Sequence, residues 1–230
     1  MSDMKITAWN CQMAFRNDCQ KLMDSFGPDI AIITECENEE RLNNVTFDNL
    51  VWRGDNLNKG IGIFSFSKNY VIELHSEYKE EIKDVIPVKV TGTKEFTLFA
   101  CWAKKELNYI FGITDSLEKY MKSISGDILI AGDLNANQIW RESKDKGYTE
   151  FMAMLKKKEI HSCYHERFKE EHGKETKNTH YFRRDSERGF HIDYCLASKE
   201  LLKQMIDVKI PKFEDWIEHS DHVPLNVIFS

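Results

Sequence analysis

Two polar residues, Asp133 and Asn135, follow the apolar run that begins the stretch ILIAGDLNAN, residues 128–137. Asp, Asn and Gly favour turns for backbone reasons alone, so this stretch by itself is equally consistent with an ordinary turn after a strand. The pattern recurs beside other apolar runs, where the polar residues are Asn10, Glu35, Asp193, Asp221 and His222. If the strands of one sandwich bring these residues to a common edge, hard oxygen ligands and one imidazole converge there.

Carboxylate and amide oxygens are the ligands that Mg²⁺ and Mn²⁺ prefer, and Mg²⁺ in particular keeps several waters and binds through one or two carboxylates plus substrate phosphate. A site of this kind hydrolyses phosphate esters by neutralising the phosphoryl oxygens and positioning a water in line with the leaving oxygen. It also needs a proton acceptor near that water. The residue types therefore predict a phosphoester hydrolase that depends on Mg²⁺ or Mn²⁺.

The elements that must position these residues are short apolar runs rich in β-branched and aromatic residues. They read MKITAW, DIAIIT, GIGIFSF, YVIEL, VIPVKV, FTLFACWA, DILIAG, HIDYCLA and VPLNVIF. Amphipathic patterns predict helices between some of them, at about 14–25, 106–124, 147–158 and 199–205. The mixed order of hairpin-like pairs and helical crossovers predicts an α/β fold of two mixed β-sheets packed as a sandwich, with helices on the outer faces.

Length, composition and net charge predict the domain organisation, the location and the class of partner. A chain of 230 residues with 41% hydrophobic content can bury a large core, so we expect one domain over residues 1–230, acting as a monomer. No window has the roughly 18 apolar residues of a membrane span, and the start lacks a secretion signal, which predicts a cytoplasmic protein without a membrane partner. The net charge of -6 does not favour a polyanion partner, so nucleic-acid binding requires a local patch or a metal.

The six cysteines are scattered without a CxxC pair, and several lie inside apolar runs. Buried, reduced thiols explain this pattern better than disulfides. In IHSCYH, the residues His161, Cys163 and His165 alternate, so on a strand they would share one face and resemble zinc ligands. No fourth ligand stands at a suitable spacing, which disfavours zinc.

Several motifs, in their order along the chain, resemble the motif series of the endonuclease/exonuclease/phosphatase superfamily. They are WN at 9–10, ITE ending at Glu35, KGIGIFS at 59–65, AGDLNAN at 131–137, HIDYCLAS at 191–198 and SDHVPL at 220–225. GDxN and SDH are modest signals alone, but the ordered set spans nearly the whole chain. The resemblance implies a deoxyribonuclease-I-like fold of four α/β/β/α layers and metal-dependent hydrolysis of phosphate esters.

For the metal, the resemblance implies three ligands. Asn10 and Glu35 match the family's metal-binding asparagine and glutamate, with Glu35 as the principal ligand. Asp221 matches a further carboxylate associated with the metal.

For catalysis, the resemblance implies four residues. Asp133 matches the aspartate that orients or deprotonates the attacking water, and Asn135 matches the asparagine that helps to hold the phosphate and that water. His222 matches the histidine that binds a non-bridging phosphate oxygen or acts as an acid. Asp193 matches the carboxylate that orients this histidine, and such a bond sets the tautomer and favours the charged ring.

One position departs from the family's pattern. After the strand in TLFACWAKK, many members have a histidine or tyrosine that contacts the scissile phosphate, whereas this chain has Trp102. Indole donates one hydrogen bond but cannot exchange a proton, which argues against acid catalysis from this position. Trp102 is then either a substrate contact or a core residue, and Lys104 or Lys105 is an alternative source of positive charge.

Residues 166–190 are polar and highly charged, which predicts a long surface loop. Its THYFRRDSER segment combines rings and cations that suit stacked bases and phosphates, although an ordinary solvated loop would read similarly. The candidate substrate-binding residues here are His180, Arg183, Arg184 and Arg188.

Three functions fit these observations. The first is a phosphodiesterase that acts on nucleic acid, and the second is a hydrolase of the same chemistry that acts on a small phosphorylated metabolite or lipid head group. The third is a binding module that has kept the fold without catalysis. The complete set of candidate ligands argues against the third, and the loop favours nucleic acid over a small substrate.

Overall fold

The computed structural model describes residues 3–140 and 146–230. Within these ranges the strands are β1 (Met4–Asn10), β2 (Ile30–Cys36), β3 (Asn49–Asn56), β4 (Lys59–Ser65), β5 (Tyr70–Leu74), β6 (Val85–Gly92), β7 (Phe96–Trp102), β8 (Ile128–Asp133), β9 (Ile160–Ser162), β10 (His180–Tyr181), β11 (Gly189–Phe190), β12 (Asp193–Ser198), β13 (Met205–Lys209) and β14 (Leu225–Phe229). The helices are α1 (Phe15–Phe26), α2 (Ile110–Tyr120), α3 (Lys146–Lys157), α4 (Cys163–Phe168), α5 (Lys199–Leu202) and α6 (Phe213–Trp216).

Twelve of these strands form two mixed sheets of six. The first sheet has the order β13-β14-β1-β2-β4-β3 and the second the order β5-β6-β7-β8-β12-β9, while β10 and β11 pair separately. Each large sheet contains one parallel pair, β1 with β2 and β7 with β8, and its other pairs are antiparallel. The helices α1 and α2 connect the two parallel pairs, as crossovers between parallel strands require.

The two sheets pack face to face over a core of aliphatic and aromatic side chains, including Ile6, Ile32, Leu98 and Val227. A second core lies between the outer face of the first sheet and α1, where Phe15 and Leu22 are fully buried. A third core joins the second sheet to α2 and α3. The central strands are therefore covered on both faces, which explains why β1, β2, β7 and β8 read as continuous apolar runs rather than alternating ones.

The predicted fold of two helix-covered mixed sheets is confirmed. All nine predicted strands are present, but β3, β9, β10, β11 and β13 were not predicted. The reason is visible in β3, NLVWRGDN, an edge strand whose residues are half-buried or exposed, so it has no apolar run to detect. The long loop predicted over 166–190 contains the end of α4 and the pair β10 and β11.

Two further observations bear on the predictions. All six cysteines are free and buried, as expected from their positions in apolar runs. Within the described residues, no helix has the length and apolar composition needed to cross a lipid bilayer.

One edge of the sandwich collects the polar strand ends. The parallel strands β1 and β2 end there at Asn10 and Cys36, and β7 and β8 end there at Trp102 and Asp133. Since β12 and β14 run antiparallel to β8 and β1, their first residues lie at this same edge. We call it the polar edge.

Candidate active site

Asp133 lies at the centre of the polar edge and is buried. Its Oδ2 accepts hydrogen bonds from Asn10 Nδ2 and from Asn135 Nδ2, each at 3.0 Å, and its Oδ1 accepts one from the Asn135 amide at 2.9 Å. Asn135 reaches this position because its backbone is left-handed, with φ 46°, directly after β8. The bond from Asn10 crosses between the two sheets and joins residues 123 positions apart in sequence.

Asn10 also approaches Glu35, with 3.4 Å between Asn10 Nδ2 and Glu35 Oε1, while its own Oδ1 accepts a hydrogen bond from the Gln12 amide at 3.1 Å. Its amide nitrogen thus faces two carboxylates and its oxygen faces the backbone. In this arrangement Asn10 holds the two carboxylates in place.

Glu35 owes its orientation to a break in strand pairing. The register between β2 and β4 shifts between Thr34 and Cys36, and Glu35 has φ 57°, so it is the extra residue of a bulge. Bulges re-aim a side chain that would otherwise follow the alternation of the strand. The half-buried carboxylate also meets Lys59 Nζ at 3.2 Å from its Oε2, a partner to which sequence reasoning assigned no role.

His222 and Asp193 form the second buried pair of the site. His222 Nδ1 lies 2.8 Å from Asp193 Oδ2, and both side chains are almost fully buried. Asp193 Oδ1 has no hydrogen-bond partner among the described residues. The carboxylates of Asp133 and Asp193 and the His222 ring place one potential ligand atom each within 4.8 Å of one another.

Thr179, Ser220 and Trp9 hold this pair in place. The Thr179 hydroxyl oxygen accepts from the amides of residues 192 and 193, each at 3.0 Å. The Ser220 hydroxyl donates to the carbonyl of Asn10 at 2.8 Å and accepts from the amide of His222 at 3.0 Å. Trp9 Nε1 donates to the carbonyl of His222 at 3.0 Å. Thr179 and the Trp9 indole were not predicted, because hydroxyls and core indoles carry no distinctive spacing.

Burial and the neighbouring charges make opposing contributions to the pKa values of Asp133 and His222. Burial, followed by the negative charge of Asp193, raises the pKa of Asp133 to about 7, although His222 and the donated hydrogen bonds act in the other direction. Burial disfavours the charged His222 ring, but Asp193, through its charge and hydrogen bond, and the nearby Asp133 and Asp221 outweigh it and raise the pKa to about 10. At neutral pH the site therefore contains a carboxylate near its midpoint of titration and a protonated imidazole.

Asp221 and His180 extend the site beyond His222. Asp221 Oδ2 lies 3.7 Å from His180 Nε2, and the His180 ring packs 4.5 Å from the His222 ring. The Asp221 carbonyl also accepts a hydrogen bond from the Tyr181 amide at 2.7 Å. The predicted residues His180 and Asp221 are therefore brought to the same edge as the catalytic candidates.

Trp102 lies in the core between the sheets, with 7% of its surface exposed, in register with Asp133 on the neighbouring strand. Two ammonium groups approach its ring: Lys104 Nζ at 4.4 Å and Lys59 Nζ at 5.1 Å from the centroid. Of the two open interpretations, this placement favours a core residue. Of the two lysines predicted as sources of positive charge, Lys104 lies near this position, and Lys59 lies there as well.

The three arginines of the loop differ in their surroundings. Arg184 is anchored: its Nη2 donates to Gln12 Oε1 at 2.7 Å and its Nη1 to the carbonyl of residue 218 at 3.2 Å. Arg183 and Arg188 are exposed, with guanidinium carbons 5.3 and 4.4 Å from the ring centroid of Phe182. Arg184 thus ties the loop to its neighbours, whereas the other two face solvent.

The alternating residues of IHSCYH do not share a strand face. Strand β9 ends at Ser162 and α4 begins at Cys163, so Cys163 is buried in the core while His165 contacts Glu175, with 3.0 Å between His165 Nε2 and Glu175 Oε1. The hypothesis that His161, Cys163 and His165 share one strand face as zinc ligands is therefore wrong. His191, the first residue of HIDYCLAS, is buried, and its Nδ1 lies 2.9 Å from the carbonyl oxygen of residue 177.

Comparison with known proteins identifies the family of this chain. Residues 7–222 match the sequence model of the Endonuclease/Exonuclease/phosphatase family, and the chain belongs to that family. No curated protein sequence matches the chain.

Solved structures with the same fold include a 3'-5' exonuclease from Neisseria meningitidis, with 19% identity, a TM-score of 0.72, and coverage of 99% of this chain and 100% of that one. An AP endonuclease from Archaeoglobus fulgidus has 20% identity and a TM-score of 0.70, with 99% of each chain covered. An AP endonuclease from Leishmania major has 14% identity and a TM-score of 0.72, with 99% of this chain and 87% of that chain covered. At these identities the likeness shows the fold.

Proposed function

We propose that this protein is a divalent-metal-dependent phosphodiesterase that hydrolyses nucleic acid. The observation that carries the proposal is the buried Asp133 carboxylate, held by two amide side chains beside the ion pair of His222 and Asp193. A carboxylate with a pKa of about 7 is matched to proton abstraction from water at neutral pH, because general bases work best near the operating pH.

The donor chemistry of the polar edge fits a hard divalent cation. Glu35 and Asp221 offer half-buried carboxylate oxygens, and Asn10 steadies Glu35 through its amide nitrogen. The ammonium of Lys59 lies 3.2 Å from Glu35 Oε2, so a cation held by Glu35 would share this carboxylate with Lys59. When bound, Mg²⁺ or Mn²⁺ would be held by Glu35 and Asp221, with Asn10 beside them, and would supply neutralisation of the phosphoryl charge.

The protein's own residues account for the remaining chemistry. Asp133 would take the proton of the attacking water, and Asn135 would orient that water and the phosphate through its amide. The protonated His222 ring, fixed by Asp193, would donate a hydrogen bond to a phosphoryl oxygen on which negative charge grows. Preorganisation of this donor is secured by the buried bonds that hold its backbone.

Two observations support nucleic acid as the substrate. The exposed Arg183 and Arg188 lie three and eight residues beyond His180, whose ring packs on that of His222, so their loop is attached to the candidate site. The solved structures that share the fold include an exonuclease, AP endonucleases and a 3' phosphatase bound to a product DNA hairpin. A small metabolite offers one or two phosphates and would leave these cations without a partner.

The test is hydrolysis of labelled single-stranded DNA, duplex DNA, abasic duplex and RNA, alongside phosphomonoesters and a phosphorylated inositol. Each substrate is incubated with Mg²⁺, with Mn²⁺ and with excess chelator. We expect polynucleotide cleavage that chelator abolishes and either metal restores. Turnover in the fully chelated sample would contradict the metal dependence, and turnover confined to the small phosphate esters would contradict the nuclease assignment.

A substitution at Glu35 tests whether this residue binds the metal. Glu35→Gln removes one full carboxylate charge and should weaken Mg²⁺ binding measured by calorimetry, as well as raise the Mg²⁺ concentration needed for half-maximal activity. Glu73→Gln, at an exposed position on β5, is the matched control and should behave like the wild type. Equal Mg²⁺ affinity in the two variants would remove Glu35 from the metal site.

A further inference from the structure

Large hydrophobic side chains that face solvent are concentrated at the polar edge. Among the described residues, those most exposed are Met13, Leu57, Val71, Tyr109, Ile139, Phe182 and Ile206. The parallel and antiparallel pairings give the direction of every strand in the two sheets. By these directions, five of the seven residues lie in connecting segments at the polar edge. The exceptions, Val71 and Ile206, lie within the edge strands β5 and β13. Scattered exposed residues are normal, but a concentration beside a catalytic centre indicates a ligand surface.

The backbone holds two of the aromatic side chains outward. Tyr109 has φ 50° and ψ -128°, which an L-residue with a bulky side chain rarely adopts, and Arg183 and Arg184, after Phe182, have φ 58° and 57°. Hydrogen bonds fix both segments: the Tyr109 amide donates to the Lys104 carbonyl at 2.9 Å, and Arg184 is anchored to two neighbouring loops. Strained backbone that is held in this way is typical of functional segments.

In the second sheet, β8, which ends at Asp133, lies between β7, which leads to Tyr109, and β12, which follows Phe182. The loop of Tyr109 begins at Ala103, whose carbonyl accepts a hydrogen bond from Asn135 Nδ2 at 3.0 Å. Phe182 lies two residues beyond His180, whose ring packs on that of His222. A chain that crosses the site would therefore meet Tyr109 on the side of β7 and Phe182 on the side of β12.

Cationic residues lie near the Phe182 ring and in the segment that leads to Tyr109. Phe182 has the guanidinium groups of Arg183 and Arg188 near its ring, and the loop of Tyr109 starts with Lys104, whose ammonium lies over Trp102. Rings that stack on bases, next to cations that bind the backbone, are the combination used to bind single-stranded nucleic acid. A protein partner would require a continuous apolar surface, whereas these rings are separated by polar groups.

We infer that Tyr109 and Phe182 stack on unpaired bases on either side of the phosphate that is cleaved. In a duplex the faces of the bases are covered by their neighbours, so a protein ring reaches them only after the bases are unstacked. The preferred substrate class is therefore single-stranded nucleic acid, or an unpaired end or gap. This inference rests on the nuclease function proposed above.

The experiment compares one labelled 20-nucleotide strand, free and annealed as a blunt duplex, with 2-aminopurine next to the cleavage position. The variants are Tyr109→Ala and Phe182→Ala, the ring-preserving Tyr109→Phe and Phe182→Tyr, and the controls Val71→Ala and Ile206→Ala, which remove equally exposed hydrophobic groups away from the polar edge. KM, kcat and 2-aminopurine fluorescence on binding in Ca²⁺ are measured for each.

We expect each ring-to-alanine variant to raise KM for the free strand by about five- to hundredfold, the range of one base-ring stack, with kcat little changed. The quenching of 2-aminopurine should fall with it, which a purely structural role would not cause. The ring-preserving variants and the two controls should match the wild type.

The outcomes separate the two proposals. A wild-type protein that hydrolyses no polynucleotide overturns the nuclease function and the stacking inference together. A wild-type protein that hydrolyses the free strand while the alanine variants retain its KM and its fluorescence change overturns the stacking inference alone. Equal losses on the free strand and the blunt duplex would show that the rings do not select unpaired bases.

Discussion

The pair of His222 and Asp193 offers the most informative perturbation. Asp193→Asn keeps the shape of the side chain and its place 2.8 Å from the imidazole but removes the charge. Asp193 is the largest contributor to the raised pKa of His222, which stands at about 10 instead of the usual 6.5. One pKa unit corresponds to about 1.4 kcal/mol, so the site as a whole favours the charged ring by roughly 5 kcal/mol.

The sign of the effect follows for both groups. Loss of an opposite charge lowers the pKa of His222, so the ring becomes neutral at a lower pH. Loss of a like charge also lowers the pKa of Asp133, for which Asp193 is the second cause of the increase after burial. Activity that requires a deprotonated Asp133 and a protonated His222 should rise near pH 7 and fall near pH 10 in the wild type. In Asp193→Asn both limbs should move to lower pH.

The size of the shift can be measured. If the pKa of His222 falls to about 7, only about 1% of the rings are charged at pH 9, and kcat should drop roughly a hundredfold there. At pH 6 the loss should be much smaller. The assay is kcat against pH from 5.5 to 10.5, with the His222 ring followed independently by NMR titration. Asp127→Asn is the control. Asp127 accepts a hydrogen bond from Ser198 at the end of β8 and β12 that lies opposite Asp133 and Asp193.

A uniform loss of kcat with unmoved limbs would show that Asp193 only orients the ring. A shift of the descending limb to higher pH would refute the electrostatic reasoning outright.

Three further outcomes are expected. Asp133→Asn and His222→Ala should each lower kcat by at least about a hundredfold while the far-ultraviolet circular dichroism stays unchanged; wild-type turnover in either would contradict its assigned role. Thr179→Val preserves shape but leaves two buried amides without their acceptor, so the free energy of unfolding in urea should fall by about 2–5 kcal/mol; a change below about 0.5 kcal/mol would mean that those amides find other partners. Replacing Arg183 and Arg188 by alanine should flatten the salt dependence of polynucleotide binding in Ca²⁺ by roughly 0.7–0.9 log units per lost phosphate contact, with kcat almost constant; identical slopes would remove both arginines from phosphate binding.

Some of this site could be predicted from the sequence because its signals are local. An apolar run that ends in Asp133 and Asn135 marks a strand end with turn-forming residues, whatever the rest of the chain does. The ordered motifs then identified the family, and the family implied how the remaining polar residues are shared between metal and phosphate. The central strands were predictable for a similar reason, since burial on both faces requires continuous apolar runs. That signal is missing from β3, a hydrophilic strand at the lateral margin of the first sheet, and from the two-residue strands β10 and β11.

Local sequence patterns therefore predict which residue types lie at which strand ends. How these residues meet depends on the packing of the two sheets. Sheet order brings Asn10 to Asp133 across the sandwich, and the bulge in β2 turns Glu35 toward Lys59. Packing between the sheets buries Trp102 at the end of β7, in register with Asp133. Periodicity reports only whether a residue faces inward, whereas contacts between distant strands depend on how the whole set of sheets and helices packs.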